Sequence, residues 1–159
     1  MKNTDGTETV YSALSNADNE AMVLLHGIGA DHAMWQPQME EFADNSFYVL
    51  APDLLGHGQS SKVKHLELRD WENQIFDLLR EHQRETCILV GVSMGGVIAQ
   101  SFAVNHPDRV SRLIVSDTLA ELKTPLERVL GLSQMIGFWF FKYVRAAGMA
   151  STYKAPFAQ

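Results

Sequence analysis

Five residues near the middle of the chain, Gly91-Val92-Ser93-Met94-Gly95, place a hydroxyl where a nucleophile would be useful. An apolar run, Cys87-Ile88-Leu89-Val90, leads into them, and a helix-like pattern (Val97, Ile98, Ala99, Phe102, Ala103) follows. A strand that turns at once into a helix must hold its bend residue in a strained backbone conformation. Glycines two before and two after remove the side chains that would collide there. Such a bend lifts Ser93 Oγ clear of a sheet, beside the first unpaired N–H groups of the new helix and the positive end of its dipole. The competing reading is a glycine-rich turn that happens to contain a serine. A serine that attacks at neutral pH needs a base, and the base needs an orienting acid. Of the histidines (His26, His32, His57, His65, His82 and His106), only His106 follows Ser93, and the last 53 residues contain none.

The elements that would position this serine can be read from hydrophobic periodicity. Ala21-Met22-Val23-Leu24-Leu25 and Phe47-Tyr48-Val49-Leu50-Ala51 are continuously apolar and predict strands buried on both faces. Between them, Met34 to Phe42 predicts a helix with Pro37 in its first turn. Residues 66 to 82 place Leu68, Trp71, Ile75, Leu78, Leu79 and His82 at spacings of three and four, which predicts an amphipathic helix. Its charged residues, Glu72 and Asp77 among them, are expected on the solvated side. At that spacing Trp71 reads as core rather than as a ligand-stacking ring. Asp5-Gly6 marks a hairpin-type turn before a β-prone stretch from Thr7 to Leu14, and Ser111 to Val115 predicts a further strand. Strand and helix alternate, so the fold class is α/β: a mostly parallel sheet with helices on both faces and right-handed crossovers.

Two more segments extend the pattern. His26-Gly27-Ile28-Gly29-Ala30 follows the strand that ends at Leu25, and Asp53-Leu54-Leu55-Gly56-His57-Gly58-Gln59-Ser60 follows the next. Together with Gly91-Val92-Ser93-Met94-Gly95-Gly96, they resemble the nucleophile elbow, the His-Gly loop and the Asp-X-X-Gly-His-Gly-X-Ser loop of the α/β-hydrolase family. The resemblance implies that Ser93 is the nucleophile and that the Ile28 and Met94 amides form the oxyanion hole. It makes His26 a structural hydrogen-bonder and gives Asp53 and His57 an architectural role, because the family order is serine, then acid, then histidine. Most of the family carries the acid one strand beyond the position of Asp117; a few members carry it there, which keeps Asp117 as a candidate. Gly27, Trp35, Met135, Phe138 and Trp139 are implied to line a substrate pocket. Residues 1–122 would be the N-terminal part of the core and 123–159 the start of a helical cap. By this resemblance the chain reads as truncated, without the triad histidine and, on most family patterns, without the acid. An exposed sheet edge and cap are then expected to promote self-association.

The implied activity is hydrolysis of a carboxylic ester, lactone or related carbonyl through an acyl-enzyme, with no metal and no organic cofactor. Relatives that open epoxides or remove halogens carry an Asp at the elbow, so Ser93 argues against both. The alternative is a non-catalytic ligand-binding protein that keeps the pocket without turnover. The bulk properties agree with a small-molecule substrate: net charge is −6 and no basic run appears, which excludes nucleic-acid binding as a function class. Cys87, the single cysteine, lies in an apolar strand and reads as a core residue. The first residues contain no apolar signal segment, which makes the cytoplasm the expected location. The apolar run between Arg128 and Lys142 is shorter than the ~20 residues a membrane span requires.

Overall fold

The computed structural model describes residues 1–14 and 19–119. The expected cap, with Met135, Phe138 and Trp139, and the boundary at 122/123 lie outside the described residues. Five strands form one sheet in the order β1-β3-β2-β4-β5: β1 Tyr11–Leu14, β2 Ala21–Leu25, β3 Tyr48–Pro52, β4 Cys87–Val92 and β5 Val110–Ser116. Only the β1–β3 pairing is antiparallel among these neighbours; β2–β3, β2–β4 and β4–β5 run parallel. Three helices connect the parallel strands: α1 Gln36–Asp44, α2 Leu68–Glu81 and α3 Met94–Asn105.

The period-two geometry of a strand explains why β2 is apolar at every position. Ala21, Val23 and Leu25 pack on one face with Ile75, Leu78 and Leu79 of α2 and Ile98, Ala99 and Phe102 of α3. Met22 and Leu24 pack on the other with Met39 of α1, Val49, Ala51, Ile88 and Val90. Both faces are therefore covered, as the α/β reading requires. Cys87 is buried in the first of these layers, and burial pushes its thiol up to about 12, so it is a core residue. Trp71 packs against the same layer and donates its indole N–H to the Leu55 carbonyl at 3.1 Å.

Three local expectations are corrected. The helix expected from Met34 starts as a 3-10 turn, His32–Trp35, before α1, because Asp31 accepts a hydrogen bond from the Ala33 N–H and caps it. The strand expected over Thr7–Leu14 shortens to Tyr11–Leu14. The Asp5-Gly6 turn does close an antiparallel bridge between Lys2 and Glu8, and Thr9 N–H still donates to the Met1 carbonyl (2.9 Å), but from Val10 the backbone groups bond elsewhere. Val10 N–H donates to Ser60 Oγ (2.9 Å) and Val10 O accepts from Asp53 N–H (2.8 Å). Thirdly, Glu72 and Asp77 are buried rather than solvated. Glu72 Oε1 accepts from Ser101 Oγ (2.6 Å) and Asn105 Nδ2 (3.0 Å) of α3. Asp77 Oδ2 accepts from the Thr4 N–H (2.7 Å) and hydroxyl (2.8 Å).

Beyond β4 the sheet changes character. Leu113, Ile114 and Val115 of β5 are 40%, 49% and 41% exposed, and among the described residues β5 pairs only with β4. This is the surface on which the expected self-association would draw. Among the described residues no helix is long and apolar enough to cross a membrane.

Phe102 ties α3 to this core: it is fully buried, with ring centroids 5.1 Å from Phe76 and 4.9 Å from His106. Phe102→Ala is expected to lower unfolding free energy by about 3–5 kcal/mol in a urea titration. A cost within ~0.5 kcal/mol, usual for a surface site, would show that α3 is not docked this way.

Candidate active site

The bend expected at Ser93 is present: Val92 ends β4, Met94 begins α3, and Ser93 between them has φ 52 and ψ −117. An L-residue at such an angle is held by its surroundings at a cost of order 1–3 kcal/mol. Four hydrogen bonds supply that hold. The Ser93 N–H donates to the Ser116 carbonyl at the end of β5 (3.1 Å). Its carbonyl accepts from Gly96 N–H (3.0 Å), Val97 N–H (3.2 Å) and Thr118 Oγ1 (2.8 Å). The flanking glycines are required by contact distance. A Cβ on Gly91 would collide with the Gly95 carbonyl, and one on Gly95 would stand 2.6 Å from the His26 carbonyl oxygen. A Cβ on Gly96 would lie 2.6 Å from Thr118 Oγ1, so that glycine admits the threonine which ties down the bend.

The His-Gly loop meets the bend directly. A Cβ on Gly27 would sit 3.3 Å from Ser93 Cβ and 3.9 Å from its Oγ. Among the described residues, neither the Ile28 nor the Met94 N–H is engaged by an acceptor. Met94 is the first residue of α3, where an unpaired N–H is the rule.

The loop 26–32 is fixed at both ends by the segment after β3. His26 is fully buried; the Leu54 N–H donates to its Nε2 (2.9 Å), and its Nδ1 lies 2.8 Å from the Gly27 carbonyl oxygen. Asp53, also fully buried, accepts through Oδ1 from His32 N–H (2.8 Å) and His32 Nδ1 (2.7 Å), and through Oδ2 from Gln59 N–H (2.7 Å). Burial pushes the Asp53 carboxyl up, but these donors outweigh it and hold it below its ordinary value. Gln74 reaches across from α2: its Nε2 donates to Thr9 Oγ1 (2.9 Å) and Asp53 O (2.9 Å), and its Oε1 accepts from Leu55 N–H (3.0 Å). His57 packs its ring against His26, with centroids 5.4 Å apart. Asp53, His26 and His57 thus organise loops, consistent with the architectural roles expected for them.

The remaining expected residues are placed as follows. Asp117 follows β5 directly, with φ 45 and an exposed side chain. It is one residue beyond the carbonyl that holds the Ser93 N–H. Trp35 is half-buried and packs against the layer beneath α1. Sequence reasoning missed His32, Gln74 and Thr118. Gln74 left a signal, as a polar residue on the apolar stripe of α2; Thr118 left none. Asp31, His32 and Asp53 bring ligand-type atoms within 4.8 Å of one another. A cation there would have to displace donors, since Asp53 is already bonded through both oxygens and Asp31 caps the 3-10 turn.

The comparisons with known proteins agree with this geometry. A family model described as alpha/beta hydrolase fold matches residues 20–157. The chain belongs to the alpha/beta hydrolase fold family. Epoxide hydrolase 3 of Xenopus tropicalis is 38% identical over 110 residues, 66% of this chain and 29% of that protein. The enol-lactonase from Burkholderia xenovorans LB400 superposes with a TM-score of 0.71 at 28% identity, covering 76% of this chain and 47% of that one. The thermophilic esterase from Thermogutta terrifontis gives 0.70 at 31% identity, covering 77% and 45%. The chain therefore spans less than half the length of each of these three.

The buried rings set a pH dependence. Burial lowers the His26 pKa, against the raising effect of the Gly27 carbonyl, and burial likewise lowers that of His82. Their ordinary value is 6.5, so the unfolded chain takes up these protons first as pH falls below it. Stability is expected to be level above about pH 7 and to fall from about 6.5 downward in urea titrations. Asp53, held low, adds a further loss only at more acid pH, below its ordinary 3.8. Stability that rises between about pH 7 and pH 5 would contradict these ring environments.

Proposed function

We propose that the chain carries the nucleophile and oxyanion elements of a serine hydrolase acting on a carboxylic ester, lactone or related carbonyl. The observation that carries this is Ser93 held at φ 52 against Gly27, with the Ile28 and Met94 amides unengaged among the described residues. A base from outside the described residues takes the Ser93 hydroxyl proton as Oγ adds to the carbonyl carbon, and the C=O electron pair moves onto oxygen. That oxyanion accepts hydrogen bonds from the Ile28 and Met94 N–H groups, each donor of this kind being worth about 2.7–4 kcal/mol of transition-state stabilisation. Collapse expels the alkoxide or enolate and leaves an acyl-serine, which water then cleaves.

The similarity to an epoxide hydrolase bears on substrate choice through the nucleophile. A hydroxyl that opened an epoxide would form an ether, which has no carbonyl for water to attack, so turnover would stop. A hydroxyl acylated by an ester or lactone forms an ester, which can be hydrolysed. Ser93 thus favours the esterase and lactonase side of the family. Among the described residues no histidine or carboxylate hydrogen-bonds Ser93 Oγ. In this reading the base comes from outside the described residues, with Asp117 a candidate orienting acid. On the described side, Gly27 and Trp35 are the proposed lining for the acyl portion.

Without a triad histidine the chain is expected to be weakly active at most: a fluorophosphonate probe should label Ser93 slowly, and Ser93→Ala is expected to abolish that labelling without lowering the unfolding midpoint. Hydrolysis of p-nitrophenyl acetate should be lost in the same variant. Labelling that survives Ser93→Ala would place the nucleophile elsewhere. No labelling at all would leave the non-catalytic ligand-binding reading.

A further inference from the structure

We infer that His26 is a positioning residue whose ring aims the Gly27–Ile28 peptide, turning the Ile28 N–H toward the carbonyl oxygen that Ser93 attacks. The inference rests on the reading of Ser93 as nucleophile and adds to it a residue with no contact to substrate.

The ring's hydrogen bonds fix its tautomer. A backbone N–H can only donate, so the Leu54 N–H at 2.9 Å requires a bare lone pair on His26 Nε2. The neutral ring then carries its proton on Nδ1, which donates to the Gly27 carbonyl oxygen at 2.8 Å. The Ala30 N–H donates to the same oxygen at 3.3 Å. That carbonyl and the Ile28 N–H belong to one planar trans peptide, in which the two groups point in opposite directions. Two donors therefore hold the carbonyl on one side. The N–H is directed to the other, where among the described residues nothing accepts it. The glycine of that same peptide is the residue that abuts Ser93.

The far end of the relay is anchored as well. Leu54 follows Asp53, whose N–H donates to the Val10 carbonyl (2.8 Å) and whose carboxylate is bonded through both oxygens. Leu54 is itself fully buried. The segment after β3 thus sets the ring, and the ring sets the peptide. If the relay failed, the peptide could turn over and present a carbonyl oxygen to the developing oxyanion, exchanging an attraction for a repulsion.

Two variants separate this role from simple core filling. In His26→Asn the side-chain N–H₂ replaces the Nδ1 donor, but nothing accepts the Leu54 N–H. In His26→Gln the side-chain oxygen can accept the Leu54 N–H, but the donor to Gly27 is gone. Both should lower the unfolding midpoint. The rate of fluorophosphonate labelling of Ser93 should drop on the order of 10²–10³-fold in His26→Gln and stay within roughly tenfold of the parent in His26→Asn. Equal loss in the two variants, following their loss of stability, would overturn the proposal. If the parent protein is not labelled, the serine reading fails separately, and the relay is then read from ¹⁵N shifts. A ring protonated at Nδ1, with an Ile28 amide shift that moves in His26→Gln but not in His26→Asn, supports it. A ring protonated at Nε2 overturns it.

Discussion

The structure around the site depends on a single strained residue. Ser93 adopts φ 52, a conformation an L-residue leaves unless its neighbours forbid it, and each neighbour here has a specific part in forbidding it. The carbonyl of Ser116 and the hydroxyl of Thr118 grip the residue from the end of β5. Gly95 lets the first turn of α3 settle onto the carbonyls of Leu25 and His26 at the end of β2. The bend is therefore not a local property of five residues. It is where β2, β4, β5 and α3 meet, and the apolar layer formed by Leu25, Leu89, Ile98 and Phe102 lies beneath it.

A second polar constraint complements this one. Loops at the ends of β2 and β3 lack ladder partners, and their backbone groups would be costly to bury unpaired. Four side chains resolve this: His26 accepts from Leu54, Asp53 accepts from His32 and Gln59, Gln74 serves both Leu55 and Asp53, and Ser60 donates to the Asp53 carbonyl (2.7 Å). Each is buried, and each has at least one backbone partner. Fully paired polar networks of this kind specify one arrangement, because any shift leaves a group unpaired in a dry environment. The loop that faces Ser93 is thereby fixed before any ligand arrives.

The parts of this fold legible in the sequence were those that depend on local period and local stereochemistry. Continuous burial of Ala21 through Leu25, the apolar stripe of α2 and the glycine-flanked serine all follow from one short segment at a time. What escaped depends on partners far along the chain. Glu72 and Asp77 have the spacing of a solvated face, yet Ser101, Asn105 and Thr4 cover them. Thr118 is an unremarkable residue after a strand until its hydroxyl is seen on the Ser93 carbonyl, 25 positions away. Likewise the ring of His32 has no evident role without Asp53, 21 positions on. The helix start differs for another reason: the apolar pattern begins only later, whereas the Asp31 carboxylate caps a 3-10 turn that starts at His32.

An unpaired amide follows directly on the bend that exposes the hydroxyl. Met94 is the first residue of α3, and its N–H has no carbonyl four residues back to bond. Relaxing Ser93 into a helical conformation would leave Met94 in the first turn with its N–H still unpaired, so what the strain supplies is the direction of the hydroxyl and not the freedom of the amide. The Ile28 amide differs, since its freedom depends on the direction of a peptide in a separate loop held from β3. In the proposed oxyanion site, one donor is held by the sheet-to-helix turn and the other by a buried ring. The loop donor is the one that can be lost while the Ser93 bend stays intact.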